Sequence, residues 1–216
     1  MKHHEMEKQL DELEKHGVNR RHFLKLMAAA GLLTTISTPK AKAFSSNAKG
    51  KIVIIGGGAA GISMASRLLN WLKEPDITLI DPSSRQFYQP GFTLIASGVY
   101  EPNDVWKKQE DCMPKGVKWV KDSVTAVDPV WNQVTTTNNG KIPYDFLVLV
   151  PGVQTNWEKV EGITHDTLGL GNAHSIYDFE GAQKTWKALQ EFSKTGGRGL
   201  YTDTYTKHKC GGAPKK

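Results

Sequence analysis

Residues 51–81, KIVIIGGGAAGISMASRLLNWLKEPDITLID, constrain the fold more than any other stretch. Ile52, Val53, Ile54 and Ile55 are four apolar β-formers in a row, the signature of a strand buried on both faces. Gly56, Gly58 and Gly61 follow in G-x-G-x-x-G spacing, and Ile62, Ala65, Leu68, Leu69 and Leu72 then share one helical face. Each glycine answers a physical need. The first permits a tight turn, the second lets the backbone approach a pyrophosphate, and the third lets the helix pack close to the strand. The helix's first N–H groups, including that of Ala59, then point at the phosphates. A second strand, Ile77–Ile80, ends in Asp81, 20 residues beyond Gly61. A carboxylate there is placed to accept hydrogen bonds from the ribose hydroxyls of an adenosine half. The predicted unit is βαβ with a bound dinucleotide, and the motif alone leaves FAD and NAD(P) open.

Charge and cysteines narrow the class. The formal net charge of +6 is spread along the chain: residues 1–43 carry eight Lys/Arg against five Asp/Glu, and no basic stripe interleaves with aromatics. Nucleic acid is therefore excluded as a partner. Cys112 and Cys210 are the two cysteines of the 216 residues, too few for a disulfide-stapled scaffold or a Cys-rich zinc site. No metal site is expected.

Residues 1–17 read as a polar N-terminal extension with Met6, Leu10 and Leu13 at helical spacing. Residues 18–43 hold Arg20-Arg21, the apolar run Leu26–Ile36 and the small-residue site Ala41-Lys42-Ala43. This is the order of a twin-arginine export signal. The run covers only 11 residues, against the ~20 that a membrane span needs. Cleavage is expected between Ala43 and Phe44. That route carries folded proteins, often ones loaded with a cofactor in the cytoplasm, so a periplasmic location is predicted.

Residues 44–152 are expected to form the dinucleotide-binding domain. The aromatic loop Phe87-Tyr88-Gln89-Pro90 leaves the second strand at the carboxyl edge of the sheet, where ligands bind in such folds. Tyr88 and Pro90 are candidates to line a flavin ring there, with ordinary packing as the competing reading. Strands are predicted at Gly116–Trp119, Val120–Val127 and Gln133–Thr137. The Asn138-Asn139-Gly140 turn is a strong hairpin signal, and it leads on to a buried strand at Phe146–Val150. Residues 116–152 thus read as a β-meander inserted in a Rossmann-like domain. Gly152, after Pro151, marks where the chain leaves it. Asp145 reads as a turn residue.

Residues 153–216 are predicted to start a second, truncated Rossmann-like domain, with a helix over Ile176–Phe192, Trp186 and Leu189 inward, and a strand near Gly199–Thr202. KCGGAP (209–214) follows. The fold class is α/β.

Taken together, VIIGGGAAGISMASRLL, ITLIDPSSRQFYQPGFTL, YDFLVLVPGVQ, TWKALQEF and KCGGAP resemble the sulfide:quinone oxidoreductase family, in the branch of the mitochondrial enzymes, from about Lys51 to Pro214. KCGGAP places a cysteine where a pyridine-nucleotide reductase carries a second glycine fingerprint. The resemblance implies FAD as cofactor, sulfide as substrate and quinone as acceptor. It implies Cys210 as the catalytic cysteine, which takes sulfur as a persulfide while electrons pass to FAD. Cofactor contacts would come from Gly56, Gly58, Ala59, Gly61, Asp81, Tyr88, Pro90 and Gly152. It also implies a membrane surface engaged through apolar C-terminal helices, with a homo-oligomer left open. The family's partner cysteine, quinone helices and closing segment of the FAD domain have no counterpart in the 216 residues. The chain is accordingly expected to be the N-terminal part of such an enzyme, with its turnover alone in question and exposed sheet edges that favour aggregation. Cys112, outside the matching motifs, reads as a surface or structural thiol. The alternatives are the flavin subunit of a flavocytochrome c sulfide dehydrogenase and a non-catalytic FAD-binding remnant; a type II NADH dehydrogenase is disfavoured by KCGGAP.

Overall fold

The structure, a computed structural model, describes residues 46–202. The export-signal segment, KCGGAP and Cys210 lie outside the described residues. The chain divides into two compact units, one drawn from residues 1–47 with 70–73 and the other from 48–69 with 74–216. Of the first, the described part is a parallel bridge between Ser46 and Leu72, with the Ser46 N–H donating to the Trp71 carbonyl at 2.7 Å.

The second unit is built on a parallel sheet. Strand β1 (Lys51–Ile55) runs through helix α1 (Ala59–Trp71) into β2 (Asp76–Ile80), and the two strands pair in parallel from Lys51↔Asp76 to Ile55↔Ile80. This is the βαβ unit expected from the sequence. Ile54 and Leu79 are fully buried. Each such side chain contributes about 2 kcal/mol by leaving water. Along α1 only Gly61 and Ala65 are fully buried, and Leu68 and Leu69 are half-buried. Small residues thus sit where the helix is most enclosed.

After β2 come β3 (Arg85–Phe87), α2 (Gly91–Ala96), β4 (Trp106–Lys108), α3 (Gln109–Cys112) and β5 (Lys118–Val120). Strands β3 and β4 form an antiparallel ribbon. Strand β5 corrects the meander expected over 116–152, because it pairs in parallel with β2, Thr78↔Lys118 to Ile80↔Val120, and so belongs to the main sheet. The meander is shorter: β6 (Val124–Asp128), β7 (Gln133–Thr136) and β8 (Lys141–Pro143), all antiparallel. The hairpin signal at Asn139-Gly140 holds, but the loop spans 137–140 and only Gly140 takes positive φ, at 69°. A two-residue type I′ turn would need both central residues there.

Strand β9 (Phe146–Leu149) returns to the main sheet beside β1, giving the order β5-β2-β1-β9. Asp145 joins the two starts reciprocally, its N–H donating to the Lys51 carbonyl at 2.8 Å and its carboxylate accepting the Lys51 N–H at 2.7 Å. The meander covers one face of the sheet: Val53 and Ile80 pack with Val134 and Tyr144, and Ile55, Val120, Ile142 and Leu147 border them.

Strand β9 is not the buried strand that its apolar letters suggest. Among the described residues it is a sheet edge, with Phe146 58% and Leu149 59% exposed. Replacing Leu149 with lysine, a residue that blunts edge pairing, is expected to lower light scattering of the purified chain at fixed concentration. Unchanged scattering would clear this edge of responsibility.

A second apolar cluster joins Phe92, Ile95 and Ala96 of α2 to Val105 and to Ala182 of helix α4 (Phe179–Thr195). Phe87, Phe92 and Phe179 meet in tilted and edge-to-face pairs, centroids 5.1–6.2 Å apart, and the Arg85 guanidinium lies 4.9 Å from the Phe87 ring. Helix α4 begins three residues later than Ile176 because Asp178 caps it, its carboxylate accepting the Gly181 N–H. Trp186 and Leu189 are half-buried, and Trp186 lies over Gly98. The strand expected near Gly199–Thr202 does not form; Leu200 and Tyr201 there are exposed.

Candidate functional site

The site is the loop between β1 and α1. Gly56 has φ 107°, and an added Cβ would sit 2.2 Å from the Val150 carbonyl oxygen at the end of β9. At Gly61 an added Cβ would sit 1.9 Å from the Gly56 carbonyl oxygen, so the first turn of α1 rests directly on the loop backbone. The Gly56 N–H donates to the Ile80 carbonyl at 3.0 Å, and the Val150 N–H to the Ile55 carbonyl at 2.9 Å. The turn is thereby wedged between the ends of β2 and β9.

Gly58 differs in kind. An added Cβ there meets nothing within 4 Å. Its carbonyl accepts the Ile62 N–H at 3.1 Å, which opens α1. Gly58 therefore faces open space beside the first N–H groups of the helix, which have no intrahelical acceptor. That combination of donors, positive helix end and empty approach fits a diphosphate.

Asp81 is placed as expected at the end of β2, and its carboxylate holds the loop itself. One oxygen accepts the Gly57 N–H at 2.6 Å, and the other accepts the Ser83 N–H at 2.8 Å. Each carboxylate oxygen has a second lone pair, so ribose hydroxyls remain compatible with this arrangement. The Trp119 indole N–H donates to the Asp81 carbonyl at 3.0 Å, which steadies the strand end.

The structure thus brings Gly56, Gly58, Ala59, Gly61 and Asp81 together. Gly152 has φ 81° and open surroundings, two residues beyond the Val150 carbonyl that crowds Gly56. Tyr88 is 58% exposed, and its backbone is fixed by hydrogen bonds to Val105 and Gly91. Pro90 precedes α2 as its N-cap. Cys112 is a half-buried free thiol on α3.

Three residues of the loop's support escaped sequence reasoning: Gly57, Gln86 and Gln109. The Gln109 amide, fully buried, donates to the Gly57 carbonyl at 2.7 Å. With its amide oriented to suit its neighbours, Gln86 donates to that carbonyl and to Gln109 Oε1, both at 3.1 Å, and accepts the Ala59 N–H at 3.2 Å. Gly57, a variable position of the motif, is closed to side chains, because an added Cβ would lie 2.4 Å from the Gln109 amide nitrogen. The middle glycine of the run Gly56-Gly57-Gly58 was the signal available.

Residues 50–192 match the family model described as pyridine nucleotide-disulphide oxidoreductase. The chain belongs to that family. Among curated proteins, the mitochondrial sulfide:quinone oxidoreductase of Dictyostelium discoideum is 40% identical over 167 residues, and that of Mus musculus is 34% identical over 166. Each alignment covers 77% of this chain and 36% of the relative, so the chain spans about a third of the length of the curated relatives it matches. The solved sulfide:quinone oxidoreductase of Aquifex aeolicus superposes with a TM-score of 0.54 at 30% identity, covering 68% of this chain and 33% of that one. The resemblance and the α/β fold class read from the sequence are borne out.

Proposed function

We propose that this chain supplies the FAD-binding and sulfur-accepting part of a sulfide:quinone oxidoreductase. The observation that carries the reading is the glycine loop: Gly58 opens onto empty space at the N-terminus of α1, while Asp81 holds the loop at the end of β2. The similarity to sulfide:quinone oxidoreductases of three organisms supports the choice of substrate.

In this reading FAD supplies a two-electron acceptor. The Gly58 N–H binds its pyrophosphate at the start of α1, where the Ala59 N–H is held by Gln86, Asp81 accepts from the ribose, and Tyr88, Pro90 and Gly152 lie toward the flavin. Cys210 takes the sulfur of sulfide as a persulfide, releasing two protons and two electrons that reach a quinone. A thiolate is required for that step. Lys207, His208 and Lys209 lie close by in sequence and, where they face Cys210, would favour one electrostatically. Residues 18–43 direct export by the twin-arginine route to the periplasm, where the enzyme works at the membrane surface.

The test is spectroscopic. The full chain mixed with FAD and desalted is expected to stay yellow, to bleach with sulfide and to recover its colour with a soluble quinone. Colourless protein would remove the cofactor assignment. Yellow protein that bleaches with NADH and not with sulfide would move the reading to an NADH dehydrogenase. Cys210→Ser is expected to abolish bleaching by sulfide while leaving FAD bound.

A further inference from the structure

The ribbon of β3 and β4 delivers two glutamines beneath the glycine loop, Gln86 from β3 and Gln109 directly after β4. A fully buried amide is costly unless its groups are paired. Gln109 is paired at both side-chain polar atoms and at its backbone N–H: its amide nitrogen donates to the Gly57 carbonyl at 2.7 Å, its Oε1 accepts from Gln86, and its backbone N–H donates to the Ser84 carbonyl at 2.9 Å.

The consequence lies in peptide geometry. In a trans peptide the C=O of one residue and the N–H of the next point in opposite directions. Holding the Gly57 carbonyl down onto Gln109 therefore turns the Gly58 N–H away from Gln109, at a residue where an added Cβ would also meet nothing within 4 Å. Glycine backbone would otherwise rotate this peptide at little steric expense. We propose that Gln109 is a positioning residue that locks the Gly57–Gly58 peptide in the orientation that aims the Gly58 N–H at a diphosphate, with Gln86 as its support. The inference rests on the FAD reading and names the residue that makes the loop selective for the diphosphate portion of the ligand.

The experiment compares the full-length wild-type chain with Gln109→Leu, which keeps bulk and loses both polar groups, and Gln109→Glu, which keeps shape and loses the donor. Dissociation constants are measured for FAD, ADP and adenosine. Both variants are expected to bind FAD and ADP roughly tenfold more weakly, and adenosine within about twofold of wild type. A uniform loss for all three ligands, or no loss for any, overturns the inference while leaving the cofactor reading in place.

A wild-type chain that binds neither FAD nor ADP would sink the cofactor reading. The lock is then judged in the ligand-free protein by the mobility of the Gly58 amide, the N–H of the locked peptide, followed by NMR order parameters. A clearly more mobile Gly58 N–H in Gln109→Leu, with Ile54 in the core unchanged, upholds the lock. Equal order at Gly58 overturns it.

Discussion

Gly61→Ala is expected to destabilise the chain by about 3 kcal/mol, lowering the melting temperature by roughly 6–12 °C. The added methyl would lie 1.9 Å from the Gly56 carbonyl oxygen, and the obstacle is backbone, so no side-chain rotation relieves it. Relief requires α1 to lift from the loop, which also carries the first helical N–H groups away from the ligand. Gly58→Ala should behave oppositely. With nothing within 4 Å, the methyl meets no obstacle in the ligand-free chain, and the substitution costs only the roughly 0.5–1 kcal/mol by which alanine is poorer than glycine at a helix N-cap. It occupies the approach to the diphosphate, and FAD affinity is expected to fall on the order of 10- to 100-fold. Calorimetry and FAD titration on both variants separate the two roles. Equal melting temperatures for the two would refute the assignment of Gly61 to packing, and unchanged FAD affinity in Gly58→Ala would refute the open cradle.

That contrast also measures how far the site was legible in the letters. Gly56, Gly58, Gly61 and Asp81 were found because strand, turn, helix and acid must recur at fixed spacing for the backbone to meet a diphosphate, and the structure places them so. Gln109 was illegible for the opposite reason. Its partner is a carbonyl 52 positions earlier, and nothing in KKQEDC distinguishes a fully buried glutamine from a solvated one. The fold shows the same division. Four consecutive β-formers from Ile52 to Ile55 sufficed for a buried central strand. Lys118–Val120 reads equally well as part of a meander, and only the parallel pairing with β2 assigns it to the main sheet. Phe146–Leu149 carries central-strand letters at an edge position, because which strand lies beyond β9 is a matter of topology, which local composition does not encode. At Leu200-Tyr201 β-forming letters form no strand, since propensity without a partner to pair or pack is a weak force.

Asp122→Asn is expected to lower the melting temperature on the order of 5 °C or more at neutral pH, chiefly by loosening the meander. Asp122 is buried between β5 and β6, and its carboxylate accepts five N–H donors: the backbone of Ser123, Asn138 and Asn139 and the side-chain amides of Asn138 and Asn139, at 2.7–3.0 Å. These bonds clamp the loop between β7 and β8. An asparagine in the same place keeps one oxygen acceptor and turns an NH₂ toward groups that are themselves donors. Burial alone pushes the Asp122 carboxyl up; the Asn139 amide and the N–H groups of Asn138, Ser123 and Asn139 together reverse this and hold it well below the ordinary carboxylate value of 3.8. A lowered folded value means the unfolded chain takes up the proton first. The stabilisation is therefore complete above pH 3.8 and is lost as pH falls toward the folded value. Asp128 is also lowered, first by the Trp131 N–H, against burial, and then by Gln133, the Val130 N–H and the charge of Lys141. It titrates alike in wild type and variant. The two melting curves should accordingly stay a constant distance apart from pH 7 to about pH 5 and converge below pH 4. A gap that persists unchanged to pH 2 would show that Asp122 acts through shape alone and not through its charge.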